Sequence, residues 1–268
     1  MSKVIYQPAG KAKEYARWAC NLYKGCSNNC SYCYCKRGVL GSVLGGTVPE
    51  LKKGLENQEN AFKTFRKELE RYRDAIIRDG GLFFSFSTDP CLPETIGLTL
   101  RCIDLATDRG VPCSILTKRA EWINDKEDGW RLVKRKKELL SVGFSFSGWE
   151  QAEPGASPEN ERITALRKLN QAGIRTFASF EPILDIAGAE KTIMEILPYC
   201  DEFKFGLLSG TSGKTAMYDD SNALRQQIAA FFKFYNTYLK DFQKKVYWKR
   251  SIISLLPNEL VGSFPQSR

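Results

Sequence analysis

"NLYKGCSNNCSYCYC", residues 21–35, gathers Cys26, Cys30, Cys33 and Cys35 into one short stretch of a chain with nine cysteines. The first three stand as C-x-x-x-C-x-x-C, with Gly25 before them and Tyr32 and Tyr34 around the last. An odd cysteine count outside a small secreted scaffold argues against a disulfide framework. A redox C-x-x-C pair leaves Cys26 without a role. Structural zinc calls for four ligands, typically as two separated pairs; that reading stays open only with Cys20 or Cys35 as the fourth. An iron–sulfur cluster on three cysteines leaves one iron without a protein ligand, the same logic that leaves catalytic zinc an open position. The remaining thiols, Cys20, Cys91, Cys102, Cys113 and Cys200, stand in apolar surroundings and read as small buried hydrophobes.

Composition narrows the chemistry around that stretch. The 268 residues contain no histidine, which excludes imidazole bases, Ser-His-Asp triads and histidine metal sites. Forty basic against 31 acidic residues give a net charge of +9, which favours anionic partners. The excess gathers in two basic runs, "RLVKRKK" at 131–137, which reads as a solvated helix face, and "KKVYWKR" at 244–250. No apolar run approaches the ~18 residues that span a membrane, and the start "MSKVIYQPAGKAKEYARW" has no apolar leader core. A soluble, cytoplasmic protein with no membrane partner is expected.

Downstream of the cysteines, strand-length apolar runs recur: "GLFFSFS" (81–87), "VPCSILT" (111–117), "VGFSFS" (142–147), "IRTFASF" (174–180) and "EFKFGLL" (202–208). Helix-length segments separate them. Ser157 and Pro158 mark a helix start, Ile163, Leu166 and Leu169 its inner face, and Gly173 its end. Pro93 opens another, with Ile96, Leu100 and Ile103 inward. Residues 221–242 form a longer helix whose stripe of Leu224, Ile228, Phe231, Tyr235 and Leu239 is core. Strands spaced by helices mean βαβ units and a parallel sheet. With "ARWACNL" as a first strand there are six units, short of a closed eightfold barrel. The expected fold is α/β: one domain over 1–268, a partial (β/α)6 barrel with the cysteine loop at 24–36 and a helical extension over about 221–268. Chemistry in such folds sits at the C-terminal strand ends. There the sequence places the cysteine loop, Ser87-Thr88-Asp89, Thr117-Lys118, Ser145-Phe146-Ser147 and Glu181.

"NLYKGCSNNCSYCY" resembles the cluster loop of the radical S-adenosylmethionine (SAM) superfamily, and most of all the branch containing spore photoproduct lyase. That branch commonly reads N-P-Y-x-G-C-x-H-x-C-x-Y-C-Y; here Leu22 replaces the proline and Asn28 the histidine. "STDPCLPE" (87–94) is similar to the branch's T-D-P-Y-Q-P-x-E, and "ILTKRA" (115–120) to its threonine–lysine strand end. The likeness spans about residues 20–210. It implies a 4Fe–4S cluster on Cys26, Cys30 and Cys33, with SAM chelated by the fourth iron. It further implies Tyr32 near the adenine, Lys118 on the SAM carboxylate, and Ser87, Thr88, Ser145 and Ser147 on the ribose and methionine groups. The activity implied is a 5′-deoxyadenosyl radical that takes hydrogen from substrate, fed by an electron donor such as flavodoxin or ferredoxin.

Two substrates are weighed. Release of a modified base of the deazaguanine, queuine type from a nucleoside or nucleotide ranks first. Carboxylates at the mouth, Glu181 and Asp89, would accept from the neighbouring N–H donors of such a base. Repair of thymine dimers in DNA ranks second, because Ser87 stands where that lyase's hydrogen-donating cysteine is expected and Cys91 is displaced into the turn. Cys35 is expected to have no redox role. An iron–sulfur or zinc binding module for RNA, without SAM cleavage, is the non-enzymatic alternative.

Overall fold

The computed structural model describes residues 3–208 and 222–261. Two short strands, β1 (Ile5–Tyr6) and β2 (Ala19–Cys20), flank a 3-10 turn at Gly10–Glu14. A small hairpin follows, β3 (Tyr23–Lys24) with β4 (Glu50–Leu51), and the cysteine loop and α1 (Gly38–Leu44) lie between its strands. Helix α2 (Gln58–Arg78) is capped by Asn57, whose side chain accepts from the Asn60 amide at 2.9 Å. Strand and helix then alternate: β5 (Leu82–Phe84), α3 (Ile96–Asp108), β6 (Cys113–Thr117), α4 (Asp128–Arg135), β7 (Leu140–Phe146), α5 (Glu159–Gln171), β8 (Arg175–Phe180), α6 (Ile186–Ile196) and β9 (Glu202–Phe205). Helix α7 (Asn222–Asp241), strand β10 (Lys245–Trp248) and the short helices α8 (Arg250–Ile253) and α9 (Asn258–Val261) complete the described chain.

The main sheet runs β1-β2-β5-β6-β7-β8-β9-β10, antiparallel only between β1 and β2. The six expected strands are present in the expected order, as a partial barrel. β10 adds a further parallel strand inside the segment expected to be a helical extension. Val246, Tyr247 and Trp248 are strand formers, and the lysines on either side had disguised them as a charge run. Residue 221 and residues 262–268 of that segment lie outside the described residues.

Alternation along each strand sorts the side chains. Phe84, Phe144, Phe146, Phe180, Phe203 and Phe205 point outward into the core under the helices, joined by Ile163, Leu166 and Leu169 of α5 and by Ile228, Phe231, Tyr235 and Leu239 of α7. The five scattered thiols, Cys20, Cys91, Cys102, Cys113 and Cys200, are buried in this same layer. The opposite face lines the barrel interior with Ala19, Phe83 and Phe177, against which Tyr15, Phe86 and Leu116 pack. Gly143 makes room there, since a Cβ on it would stand 2.3 Å from the Phe177 ring. One boundary signal works differently from expectation. Ser157 does not cap α5; its hydroxyl donates to Glu121 and accepts from the Ala120 amide, at 2.7 and 2.8 Å. Gly173 does end that helix, with φ +76°.

Candidate active site

The C-terminal ends of the parallel strands form a mouth, and the cysteine loop is sewn onto it from two sides. Gly25 enters the loop at φ +72° and lies so close to the Val48 carbonyl that a Cβ would fall 2.3 Å from it. From the β5 side, Ser87 donates to the Tyr23 carbonyl at 2.6 Å, and the Asn28 amide donates to Asp89 at 2.7 Å. Tyr34 also donates to the Phe86 carbonyl. From the segment after β7, the Ala152 carbonyl accepts from the Ser31 amide and the Gly155 amide donates to the Asn28 carbonyl, both at 2.9 Å.

Cys26 and Cys33 are partly exposed and Cys30 is nearly buried. Burial, then the Asp89 carboxylate, pushes the Cys26 thiol up to about 12. Burial also raises Cys30, against the pull of Lys118. Cys33 is lowered to about 6, chiefly by hydrogen bonding with the Cys35 thiol, and Cys35 is raised in turn. Among the described residues no three cysteines or carboxylates converge tightly enough to enclose a single ion. Zinc demands that convergence. A four-iron cluster takes one cysteine per iron and holds its ligands apart. The donor set, three thiols on one loop within electrostatic reach of each other, is chemically of the kind that holds an iron–sulfur cluster.

Behind the loop lies a buried polar network. Tyr32 donates its hydroxyl to Glu153, whose side chain is fully buried. Arg162, also fully buried, approaches Glu153 at 2.8 Å and donates to the Ser145 carbonyl at 2.5 Å. The Arg162–Glu153 approach is off-line for a hydrogen bond, so Glu153 Oε2 and two guanidinium nitrogens, Nε and Nη2, have no hydrogen-bond partner. Lys118 completes the set: its ammonium donates to Ser145 Oγ at 2.5 Å, lies 3.7 Å from Glu153, and sits 5.7 Å from the Tyr32 ring centre. One carboxylate thus faces two cations. Burial, with Glu153 next, raises the Tyr32 phenol well above its ordinary value and keeps it a donor.

The expected SAM contacts divide. Tyr32, Lys118 and Ser145 are brought together beside the cysteine loop. Thr88 is buried with its hydroxyl unpartnered. Ser87 is committed to the Tyr23 carbonyl, and Ser147 bonds locally to Trp149, at 3.2 and 3.3 Å. The two expected acids divide as well. Asp89 accepts four bonds: from Cys91 N at 2.9 Å, Thr117 Oγ1 at 2.6 Å, and Asn28 Nδ2 and Lys118 N at 2.7 Å each. A carboxylate has about four acceptor positions. All are taken, so the geometry gives Asp89 the task of clamping the loop rather than meeting a ligand.

Glu181 follows the end of β8, the strand next to β7, and is partly exposed, with Lys249 at 2.6 Å. Lys249 is itself buried and covers the ring of Tyr15 at 3.9 Å. The Tyr15 hydroxyl meets Ser179, which is the register partner of Ser145. Cys91 faces the outer core and not the mouth; burial raises its thiol well above the ordinary value.

Glu153, Arg162, Tyr15 and Lys249 were not singled out from sequence. Arg162 adjoins the apolar face of α5, where a charged residue reads as a boundary position. Glu153 lies in a polar loop. Lys249 was hidden in the basic run of 244–250.

No family model matches the chain. The uncharacterized protein MJ0683 of Methanocaldococcus jannaschii is 25% identical over 251 residues, covering 86% of this chain and 87% of that protein. Among solved structures, spore photoproduct lyase complexed with a dinucleoside spore photoproduct superposes with a TM-score of 0.60 at 17% identity. That match covers 90% of this chain and 78% of the lyase. Streptococcus suis SuiB bound to S-adenosylmethionine superposes with a TM-score of 0.58 at 11% identity, covering 86% of this chain and 49% of SuiB. The chain has the partial β/α barrel fold that these two radical SAM enzymes share.

Proposed function

We propose that this barrel holds a 4Fe–4S cluster through Cys26, Cys30 and Cys33 and binds SAM beside it, to act on a nucleoside or nucleotide as a base-releasing lyase. When bound, the pair supplies a 5′-deoxyadenosyl radical able to take hydrogen from substrate, given an external one-electron donor such as a flavodoxin or ferredoxin. The observation that carries the reading is the link Tyr32–Glu153–Lys118. It joins the cysteine loop to a lysine whose charge the one touching carboxylate, already facing Arg162, does not balance.

Lys118 and Ser145 offer donors suited to a carboxylate, and Tyr32 an aromatic face beside them. Thr88 brings an unengaged hydroxyl. Phe83, Phe86 and Phe177 keep water from the interior. Glu181, at the end of β8, is the acid left to accept from a base. The nucleoside class draws support from the dinucleoside bound by the fold relative, and the deazaguanine, queuine-type base from the acceptor chemistry of Glu181. A dimer-repair role in DNA has that same relative in its favour, but Cys91, the nearest thiol to the turn, is shut into the outer core.

The test is anaerobic reconstitution followed by reduction with SAM and a panel of 7-deazaguanine and ordinary nucleosides, nucleotides and dimer-containing DNA. About four iron per chain, 5′-deoxyadenosine, and free deazaguanine base are expected. An iron-free, zinc-loaded chain overturns the cluster; dimer reversal overturns the choice of substrate.

A further inference from the structure

The two rims of the mouth carry different charge balances. On the β6–β7 side, the touching set Lys118, Arg162 and Glu153 holds two cations and one carboxylate. On the β8–β10 side the two cations beside the aromatic rings each meet an acid: Lys249 pairs with Glu181 at 2.6 Å at the strand ends, and Lys204, deeper in the barrel, pairs with Glu202 at the start of β9 at 3.4 Å. An excess of positive charge suits an anionic group. A balanced set beside aromatic rings suits a neutral ligand.

The barrel interior that this side faces is flat and apolar. Phe83 and Phe86 stack with ring centres 4.6 Å apart, Tyr15 lies 5.4 Å from Phe83, and Lys204 covers both Tyr15 and Phe177. Burial, then the Glu181 charge, raises the Tyr15 phenol well above its ordinary value, so it stays neutral. Gly206 leaves the space that the ion pair fills. A Cβ there would stand 2.9 Å from Lys249 Cδ and 3.1 Å from Glu181 Cγ.

Burying such a pair is not an efficient way to stabilise a fold, because desolvation offsets much of the attraction. Its use is to hold a carboxylate and an ammonium side by side, acceptor next to donor. A planar ring presenting a carbonyl next to N–H groups is the complement of that arrangement. We propose that Glu181 and Lys249 form the recognition pair for a lactam–amidine edge, Glu181 accepting from the ring and amino N–H groups and Lys249 donating to the carbonyl. Lys249 thereby selects 6-oxo bases over 6-amino bases. The inference rests on the base-releasing reading and adds the residue that selects the base.

The experiment measures binding of free bases to the reconstituted, SAM-loaded, unreduced protein by equilibrium dialysis. The bases are 7-deazaguanine, guanine, hypoxanthine and 2,6-diaminopurine. The parent protein should bind the first two more than about tenfold tighter than 2,6-diaminopurine, the scale of an unmatched buried hydrogen bond. Lys249→Met should reduce that preference, leaving only the part that Glu181 reads at the ring N–H. Should this variant fail to fold, the apolar pair Lys249→Leu with Glu181→Leu replaces it and should fail to prefer guanine. Bases that bind the parent with a preference unchanged in the variant overturn Lys249 as the selector, leaving base release standing. If no base binds the parent, base release falls as well.

Discussion

Ser145 and Ser179 are register partners on neighbouring strands, and each holds a different side chain at the mouth: Ser145 receives the Lys118 ammonium at 2.5 Å, and Ser179 meets the Tyr15 hydroxyl. One step of the β7–β8 ladder therefore separates a site suited to an anion from one suited to a neutral ring. A reactive group bound at the first would stand beside a substrate bound at the second, which is the placement hydrogen transfer requires.

The cysteine loop gives the most direct test. Cys26→Ala, Cys30→Ala and Cys33→Ala should each fail to retain iron after anaerobic reconstitution, whereas Cys35→Ala should load normally. Iron and sulfide analysis with the visible absorption spectrum checks this. Cluster loss in Cys35→Ala would bring that thiol into the ligand set.

Removing the ammonium in Lys118→Ala should weaken SAM binding by about 1.5–3 kcal/mol, the range for hydrogen bonds to charged groups, with iron content unchanged. Titration calorimetry of the reconstituted protein measures it. Unaltered affinity would mean that Lys118 serves Tyr32 and Glu153 alone.

Arg162→Met leaves the Glu153 carboxylate buried opposite Lys118 only. Breaking a buried pair in this way should cost about 3–5 kcal/mol, read from urea unfolding. SAM affinity should fall too, since the touching set would then carry equal numbers of cations and carboxylates. A stable variant that binds SAM as the parent does would show the network to be incidental.

For Asp89→Asn the geometry predicts a defect in loop seating. The amide nitrogen cannot accept, so two of the four donors lose their partner, at about 1–3 kcal/mol for each buried group left unsatisfied. Lower thermal stability and poorer iron loading should appear together. A variant with a full cluster that fails only to release base would return Asp89 to the role of a ligand-facing acid.

The barrel interior can be probed without touching any polar group. Gly143→Ala would drive a methyl into the Phe177 ring, and overpacking of this kind costs about 1–3 kcal/mol. The denaturation midpoint reports it, and the same change made at Gly97, with open space around it, is the control.

Most of this architecture is legible in the sequence for a simple reason. Parallel strands covered on their outer face are short apolar runs, and helices with one buried face repeat at their own period, so β5 to β9 and the helices between them announce themselves. The C-x-x-x-C-x-x-C spacing marks the loop without help from tertiary structure. What stays hidden is whatever depends on tertiary pairing. Arg162 reads as a surface residue until the loop just before its own helix folds Glu153 back against it. β10 reads as a charge run until β9 offers it an edge. Asp89 reads as a reactive acid until its four donors are counted. Ser87, Ser145 and Ser147 are equivalent by alternation, and only the surrounding backbone shows which hydroxyl reaches a lysine.

The clasp between the first and last parts of the described chain bears on how the protein is made. Glu14 accepts from the Arg250 amide at 3.1 Å and lies 3.4 Å from the Tyr247 hydroxyl, while Tyr15 lies beneath Lys249. On the ribosome, the cysteine loop, Lys118, Ser145 and Arg162 all emerge well before β10. At about 5–20 residues per second, the nascent chain spends several seconds with the cysteine-loop half assembled and β10 missing. A cluster delivered in that interval would meet the barrel before Lys249 covers Tyr15. A translational pause placed before β10 should therefore leave iron loading intact while base binding waits for Lys249 to be made.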